Sequence, residues 1–400
     1  MRSKLAMLIL AVAVLSPAAL RAQGLVAIQN YSADFRTEEP LTFSITGNTG
    51  YDVLKYKVPS SSLSNIDSWY MQAGAGTSYT HTDQTTPYSF SLEGSVLEYV
   101  NGVPVYGSTF YNGRATFNFE HQFSERLKIS NNFYVTYGTN PNSAFGYGAT
   151  SALWNGQFLY GYNNFNVSYA WTPRFSTTTS YTFDGITYED STVATSQDRY
   201  SHLLAQQFAY KIAQRTSLTA EYRYRLTDYT KSGFQNYHSH FALAGVDHAW
   251  SENMSTSVRA GAELYQNANG SQTKPYAEAA LNYAVAKQTQ LRWFSMLGFN
   301  GALLGSYRSS YGVNTGVQLD HQVTKRFSVN GGASYAHSEL SGGTTPDQTQ
   351  DSVFLNAGIG YQLMDNVNLN ANYSFSTQLS NNDLVEFNRN RVSLGATATF

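Results

Sequence analysis

The chain of 400 residues has no cysteine, only 9 prolines and few charges, because Asp, Glu, Lys and Arg make up 13% of it. The lack of cysteine excludes disulfides, zinc–thiolate sites and cysteine nucleophiles. The charged fraction is about half of the average in soluble globular proteins, and the net charge of −2 gives no basic excess for nucleic acid. The mean hydropathy of −0.35 excludes a bundle of transmembrane helices, which needs repeated apolar runs of roughly 20 residues. Tyr (31), Phe (23) and Gly (31) are abundant, which favours a large antiparallel β structure.

Residues 1–22 have the order of a secretory signal peptide. Arg2 and Lys4 precede an uncharged stretch of 11 residues, and small residues follow it. Such a stretch is too short to span a bilayer comfortably, which disfavours a retained membrane anchor. We therefore expect cleavage of this segment.

A four-residue pattern recurs along the chain: an apolar residue, two further residues that are mostly small or polar, and then Arg, Asn or Gln before a new strand. Tight connections between antiparallel strands have this character. The fourth residues are 35 to 48 positions apart, a period that indicates a repeated supersecondary unit. Propeller blades share the period but need four short strands in it, and these segments are too long for that. The seven copies begin at Phe123, Trp171, Ile212, Trp250, Val285, Val323 and Leu363.

Apolar and small polar residues alternate strictly between these turns, as in Val367–Phe375. Long alternating strands with aromatic ends are typical of transmembrane barrels. The pattern predicts an all-β, up-and-down antiparallel transmembrane barrel of 18 strands, with 16 as the main alternative. The seven turns and 83–87 are the short periplasmic connections. The other connections, including 99–110 and 267–274, are expected to be longer loops outside, with both termini on the periplasmic side. We therefore expect a short periplasmic N-terminal segment at 23–40 and an outer-membrane β-barrel at 41–400.

The chain ends with apolar residues at every second position. Val392, Leu394, Ala396, Ala398 and Phe400 form this series. It resembles the C-terminal signal that the barrel-assembly machinery recognises in Gram-negative outer-membrane proteins, although Ala398 stands where that signal often has an aromatic residue. We predict that Phe400 is an assembly signal, and that outer-membrane lipid and the assembly machinery are partners of the chain.

Two segments, 199–229 and 353–375, together with Asn388–Arg391 and the closing strand, resemble the putative beta-barrel porins of Gram-negative outer membranes. The resemblance covers most of the mature chain and is one of pattern, not of a catalytic signature. It implies an outer-membrane barrel and a pore, and it says little about the substrate.

If the apolar residues face lipid, the alternation assigns the charged residues to the lumen. Two interpretations remain open. Either four arginines form a basic wall that biases the traffic toward anions (Arg223, Arg225, Arg259 and Arg292), or charges of both signs neutralise one another in an ion-pair network. The pore-lining candidates are Glu221, Arg223, Arg225, Asp247, Arg259, Glu263, Glu278, Arg292, Arg389 and Arg391, with Asp52, Glu93, Arg114, Glu120 and Lys128 roughly across the barrel.

The longest outer connection, 138–156, carries no charge but contains Phe145, Tyr147 and Trp154. These rings either pack on the barrel rim or form an aromatic surface for sugars. The loop itself stands where the corresponding loop of porins often folds into the channel.

Enzymatic functions find no support in the sequence. There is no Gly-rich phosphate loop, no Gly-x-Ser-x-Gly and no His-Glu-x-x-His, so neither an enzyme nor a cofactor is indicated. His238 and His240 lack a third ligand, which disfavours a metal site. We expect a porin-like channel for passive diffusion of small hydrophilic solutes. The alternative is a barrel with a closed lumen that acts in polysaccharide export or surface binding. The solute, the ion selectivity and the oligomeric state, alone or as a homotrimer, stay open.

Overall fold

A computed structural model describes residues 40–59, 65–103, 106–139, 156–231, 236–268, 270–286, 288–300, 309–342 and 346–400. The predicted leader at 1–22, the segment at 23–39 and most of the loop at 138–156, with its three aromatic residues, lie outside these described residues. Within them, no helix has the length and apolarity needed to cross a membrane.

The described chain is almost entirely strand. A helix, α1 (Ser191–Gln197), lies in the connection between the seventh and eighth strands. The strands are β1 (Leu41–Tyr56), β2 (Ile66–His81), β3 (Tyr88–Val103), β4 (Gly107–Gln122), β5 (Leu127–Gly138), β6 (Phe158–Ala170), β7 (Phe175–Tyr188), β8 (Arg199–Ala213), β9 (Thr216–Tyr229), β10 (Tyr237–Ala249), β11 (Met254–Asn267), β12 (Gly270–Ala286), β13 (Thr289–Asn300), β14 (Ser309–Gln322), β15 (Phe327–Ser341), β16 (Gln348–Met364), β17 (Val367–Ser380) and β18 (Phe387–Thr399).

These 18 strands form one closed antiparallel sheet in which each strand pairs with its neighbours in sequence. The last strand, β18, pairs with β1 from Ser44 opposite Thr399 to Tyr56 opposite Phe387. Closure leaves no free sheet edge, which a lipid environment requires because it offers no partner for backbone groups. The predicted fold class and the count of 18 rather than 16 are confirmed.

All seven repeated turns share one backbone hydrogen bond, and the four copies with Ser or Thr at the second position also use its hydroxyl group. In the first copy the Ser124 hydroxyl accepts from the N–H groups of Arg126 and Leu127 at 3.2 and 3.1 Å. The carbonyl of Arg126, the fourth residue, accepts from the N–H of Ala170 in the next hairpin at 2.8 Å. All seven fourth residues make this bond, so the repeat satisfies a carbonyl that the turn would leave unpaired. The other six are Arg174, Arg215, Asn253, Gln288, Arg326 and Asn366, bonded to Lys211, Ala249, Ala284, Gln322, Gln362 and Thr399.

The apolar face of the strands points outward. Along β1, exposed Leu41, Phe43 and Ile45 alternate with Thr and Ser. Aromatic residues at the turn ends form part of a girdle, since Trp171 and Trp250 are more than half exposed and donate from Nε1 to threonine hydroxyls at 2.9 and 3.1 Å. Such girdles mark the membrane–water interface. Three histidines share hydrogen bonds with threonines at this end: His121 with Thr86, His248 with Thr216 and His321 with Thr289.

Two outer connections are shorter than predicted. The strands β3 and β4 continue to Val103 and from Gly107, so the expected loop at 99–110 is mostly strand. Likewise β11 and β12 meet in a hairpin whose last pair is Asn267 with Gly270, in place of the loop expected at 267–274. The backbone of Gly270 has a φ of 128°, which glycine alone adopts readily. The expectation of uniformly long outer loops is therefore wrong.

Candidate functional site: the barrel lumen

All ten pore-lining candidates lie on the face of the barrel opposite the lipid-facing residues. Along β9, for example, Glu221 and Arg223 are buried while the alternating Tyr222 is 49% exposed on the outside. The charged groups do not all meet. They form two separate clusters, one on β9–β12 and one on β1 and β18, with Arg225, Glu263 and Arg292 outside both.

The first cluster, called here the β9–β12 network, comprises Glu221, Arg223, Asp247, Arg259 and Glu278. The Arg223 guanidinium binds Glu278 through two parallel hydrogen bonds of 2.8 Å, and its Nε donates to Glu221 at 2.6 Å. Arg259 binds Asp247 through two bonds of 2.8 and 3.1 Å, and its Nε donates to the other oxygen of Glu221 at 3.2 Å. Every member is at most 7% exposed. Paired, bidentate geometry of this kind is what a buried charge requires.

The basic wall proposed from the sequence does not exist in that form. Arg223 and Arg259 are buried and neutralised by three carboxylates, and Arg292 donates to Asp320 at 2.9 Å. Arg225 lies 5.4 Å from the ring centre of Phe241 and makes no ion pair with another described residue. The sequence could not show this outcome, because the pairing depends on which side chains adjacent strands bring together. The pairing of Arg223, Arg259 and Arg292 favours the ion-pair network over a basic wall, whereas Arg225 takes no part in it.

The second cluster joins the two ends of the sheet. Arg389 binds Asp52 with Nε at 2.9 Å and a terminal nitrogen at 2.6 Å, and the Tyr99 hydroxyl donates to Asp52 at 2.8 Å. Arg391 stands further away, with its Nε 4.0 Å from Asp52 and its guanidinium 4.2 Å from the ring centre of Tyr70. Two guanidinium groups thus share one carboxylate, which leaves this cluster with a surplus of one positive charge.

Aromatic and aliphatic side chains fill the inner face toward the outer ends of the strands. One buried group lies on β1–β4 and β18, a second on β6, β7 and α1, and two more on β9–β13. Tyr265 stacks on Phe299 with ring centres 4.6 Å apart, and both are at most 2% exposed. These inward aromatic residues were not predicted. The signal for them is the continuation of Tyr and Phe on the polar face at the outer end of several strands.

The inner face of β14–β18 and β1 is different, because its side chains are small and many are amides. Gly358 lies between Asn330 and Asn372, and Gly395 lies between Asn48 and Asn370, so close that an added Cβ would meet each pair of amides. Asn330, Asn368 and Asn372 point inward and are exposed. Space open to solvent therefore runs along this side of the barrel, whereas buried side chains fill the β9–β12 side.

The connection that carries α1 also reaches the inner face. Ala194 is fully buried among inward residues of β6 and β7, including Phe158 and Ile186. Asp190 caps α1 by accepting from the N–H groups of Thr192 and Val193 at 2.8 and 3.2 Å. Partial burial by itself would raise the pKa of Asp190, but these hydrogen bonds hold that pKa below its usual value. The sequence left open whether the loop at 138–156 folds into the lumen, and it gave no indication of α1.

The histidine pair considered for a metal lies on the outer face. His240 shares a hydrogen bond of 2.7 Å with the Tyr222 hydroxyl, and His238 meets His240 edge to face. Over the described residues, no three ligand-type side chains come together in a way that could hold a metal ion. These histidines thus belong to the aromatic surface of the barrel.

Part of the chain matches a known family of outer-membrane proteins. Residues 271–400 match the family model described as "Putative beta-barrel porin 2". This third of the chain has the sequence of a beta-barrel porin. The match confirms the resemblance found in the sequence, and with the closed barrel it places the chain in the Gram-negative outer membrane. The matched family model and the closed barrel favour a channel over an enzyme. No curated protein matches the chain.

Several solved structures are similar over 90% of this chain. OccAB3 from Acinetobacter baumannii has 11% identity, 99% of its chain covered and a TM-score of 0.46. OccK9 (OpdG) from Pseudomonas aeruginosa has 8% identity, 98% covered and a TM-score of 0.49. OpdK from Pseudomonas aeruginosa, with vanillate, has 10% identity, 99% covered and a TM-score of 0.45.

Proposed function

We propose that the chain is an outer-membrane channel for passive diffusion of small hydrophilic solutes, and that they pass along β14–β18 and β1. The observation that carries this proposal is the contrast between the two sides of the lumen. Inward Asn330, Asn368 and Asn372 are exposed, whereas inward Glu221 and Arg259 on the opposite side are buried. A barrel of 16–18 strands is wide enough for an aqueous channel even when part of its interior is filled.

The lining of the open side suits hydrated, uncharged groups. Amide side chains both donate and accept hydrogen bonds, so they replace the water around a polar solute without favouring one charge. The charged β9–β12 network serves as a rigid filling that narrows the lumen. We infer that size and hydrogen bonding, more than a basic wall, limit what passes.

Reconstitution in a planar bilayer tests the proposal. The chain has no cysteine, so a single introduced cysteine is the only thiol in the protein. Asn372→Cys should react with a bulky cationic thiol reagent and lose conductance, because its side chain faces the open space. Thr219→Cys, inward but only 5% exposed on β9, is the matched control and should remain unaffected. Equal sensitivity of both variants would contradict a path along β14–β18.

A closed lumen that serves export or surface binding is the second candidate. The buried aromatic groups at the outer ends of the strands favour it, because they occupy the mouth on β1–β4 and β9–β13. Absence of any conductance by a correctly folded barrel would favour this candidate over the channel.

The lipid-facing surface suggests how copies associate. Asn131 on β5 and Asn163 on β6 share the outer face with Phe133 and Phe165, and neither amide has a hydrogen bond with another described residue. An amide left unsatisfied in lipid is costly. We propose that this patch lies between copies in a homotrimer, where amides can pair across the contact. Asn131→Leu with Asn163→Leu should then yield monomers in native gels, and unchanged trimers would contradict the assignment.

A further inference from the structure

A recess opens in the inner wall where the last strands meet the first. It has a volume of about 470 Å³, within the range of small-molecule sites. Gly50, Gly358 and Gly395 lie beside it at inward positions of β1, β16 and β18, where they let Tyr70 and the neighbouring amides approach the backbone. Amides and hydroxyls make up most of its lining, among them Asn356, Asn370, Asn372 and Ser374, together with Arg391 and Tyr70.

Arg391 is the charged group of this recess. Asp52 is already bound by two nitrogens of Arg389, so Arg391 contributes the unmatched positive charge of the cluster. Its guanidinium carbon lies 4.2 Å from the ring centre of Tyr70, and its side chain is 18% exposed. Among the described residues it makes no hydrogen bond. A guanidinium that rests on an aromatic ring, lines an open recess and has free donors is suited to bidentate binding of a carboxylate.

An amide oxygen close to Arg391 lacks a hydrogen-bond donor. The Oδ1 atom of Asn356 is buried and accepts no hydrogen bond from a described residue. Asn372 donates to the oxygen of Asn370 at 3.2 Å, which orients that pair along the wall. The pairing register places Asn356 and Ser374 level with Arg391, and Asn372 and Ser393 one inward position nearer the periplasm. Hydroxyl groups within a few ångströms of a carboxylate would satisfy these oxygens.

We propose that the recess binds a polyhydroxylated carboxylate, such as a uronate or aldonate, with the carboxylate on Arg391 and hydroxyls on Asn356, Asn370 and Asn372. The proposal rests on the proposed channel in that it names a class of solute for the same lumen. It does not depend on the four arginines of the basic wall considered from the sequence, because Arg391 is not one of them. A neutral sugar would leave the guanidinium unpaired, and a simple carboxylate would leave the Asn356 oxygen unpaired.

Calorimetry on the detergent-solubilised, folded barrel tests the proposal without relying on conductance. Galacturonate should bind, while galactose, the methyl ester of galacturonate and acetate should each bind at least tenfold more weakly. This series uses the unaltered chain and so does not depend on any variant. Equal binding of galactose and galacturonate, or no binding of galacturonate, would overturn the proposal.

Substitutions then locate the site. Arg391→Gln leaves the Asp52–Arg389 pair intact and should weaken galacturonate binding at least tenfold. Arg114→Gln is the matched control, because Arg114 also lies over a lumenal tyrosine, 4.5 Å from the ring centre of Tyr134, but outside the recess. Asn356→Leu should weaken galacturonate and leave acetate unchanged. Equal effects of the two arginine variants would overturn the assignment. Conductance without selective binding would support the channel and contradict the binding site. Selective binding without conductance would support the binding site and contradict the channel.

Discussion

Phe43 and Phe400 exchange two backbone hydrogen bonds that close the barrel at its periplasmic end. The N–H of Phe400 donates to the Phe43 carbonyl at 2.8 Å, and the N–H of Phe43 donates to the Phe400 carbonyl at 2.9 Å. Both rings point toward lipid, with exposures of 54% and 66%. The last residue of the chain therefore contributes a backbone link to the seam as well as an exposed ring.

Deletion of Phe400 should lower the amount of folded, heat-modifiable barrel in the outer membrane while secretion continues. The deletion removes two seam hydrogen bonds and the aromatic end of the series from Val392. Phe400→Ala separates the two causes, because it keeps the backbone bonds and removes only the ring. If the ring is the assembly signal, both variants lose folded barrel to a similar degree. Normal levels of Phe400→Ala would limit the role to the backbone.

Arg259→Ala should be among the most damaging single substitutions in the lumen. It leaves Asp247 without its bidentate partner and frees one oxygen of Glu221, in a place with no exposure. Loss of one partner of a buried ion pair costs about 3–5 kcal/mol of unfolding free energy. Urea unfolding in lipid vesicles measures this loss.

Arg292→Ala is the comparison for that experiment. Its partner Asp320 is also charged, but the two side chains are 27% and 40% exposed, so solvent screens the pair. Pairs of this kind contribute about 0–1 kcal/mol. Similar losses for Arg259→Ala and Arg292→Ala would show that the β9–β12 network does not hold the filled side of the barrel together.

The sequence predicted the strands, the turns and the inward face of every charged candidate, because these follow from an alternation with period two. It could not predict which charges meet. Arg223 and Glu278 are 55 positions apart, and only the lateral order and stagger of β9–β12 bring them within hydrogen-bonding distance. The hairpin at Asn267–Gly270 was missed because Asn, Ala, Asn and Gly in succession are as typical of a loop as of a tight turn.

Acid should loosen α1. The pKa of Asp190 is lower in the folded protein than its usual 3.8, so its contribution to stability is present above that value and is lost as the pH falls through the folded pKa. Hydrogen-exchange protection of the Thr192 and Val193 amides, corrected for intrinsic rates, should drop below about pH 4. Asp190→Asn keeps a good helix cap without a titrating group and should abolish the drop. The same drop in this variant would contradict the role of Asp190.

Gly50→Ala should disturb Tyr70 and the recess beside it. A Cβ at Gly50 would lie 2.2 Å from the Val392 carbonyl oxygen and 2.5 Å from the Tyr70 ring. Relief of such overlap costs about 1–3 kcal/mol. Gly47→Ala on the same strand is the control, because nothing lies within 4 Å of its added Cβ. Unfolding free energies of the two variants should differ by that amount. Equal values would show that Tyr70 and the backbone at Val392 move aside without cost.

The hydrogen bond from each turn to the next hairpin suggests a way in which barrels with different numbers of strands could arise. The seven linked carbonyls are equivalent, so each hairpin with its turn offers the same acceptor to whatever hairpin follows. A gene duplication that starts and stops at two such turns would add two strands and preserve every link. The circumference could therefore grow or shrink in steps of one hairpin, while the seam between Phe43 and Phe400 stayed unchanged.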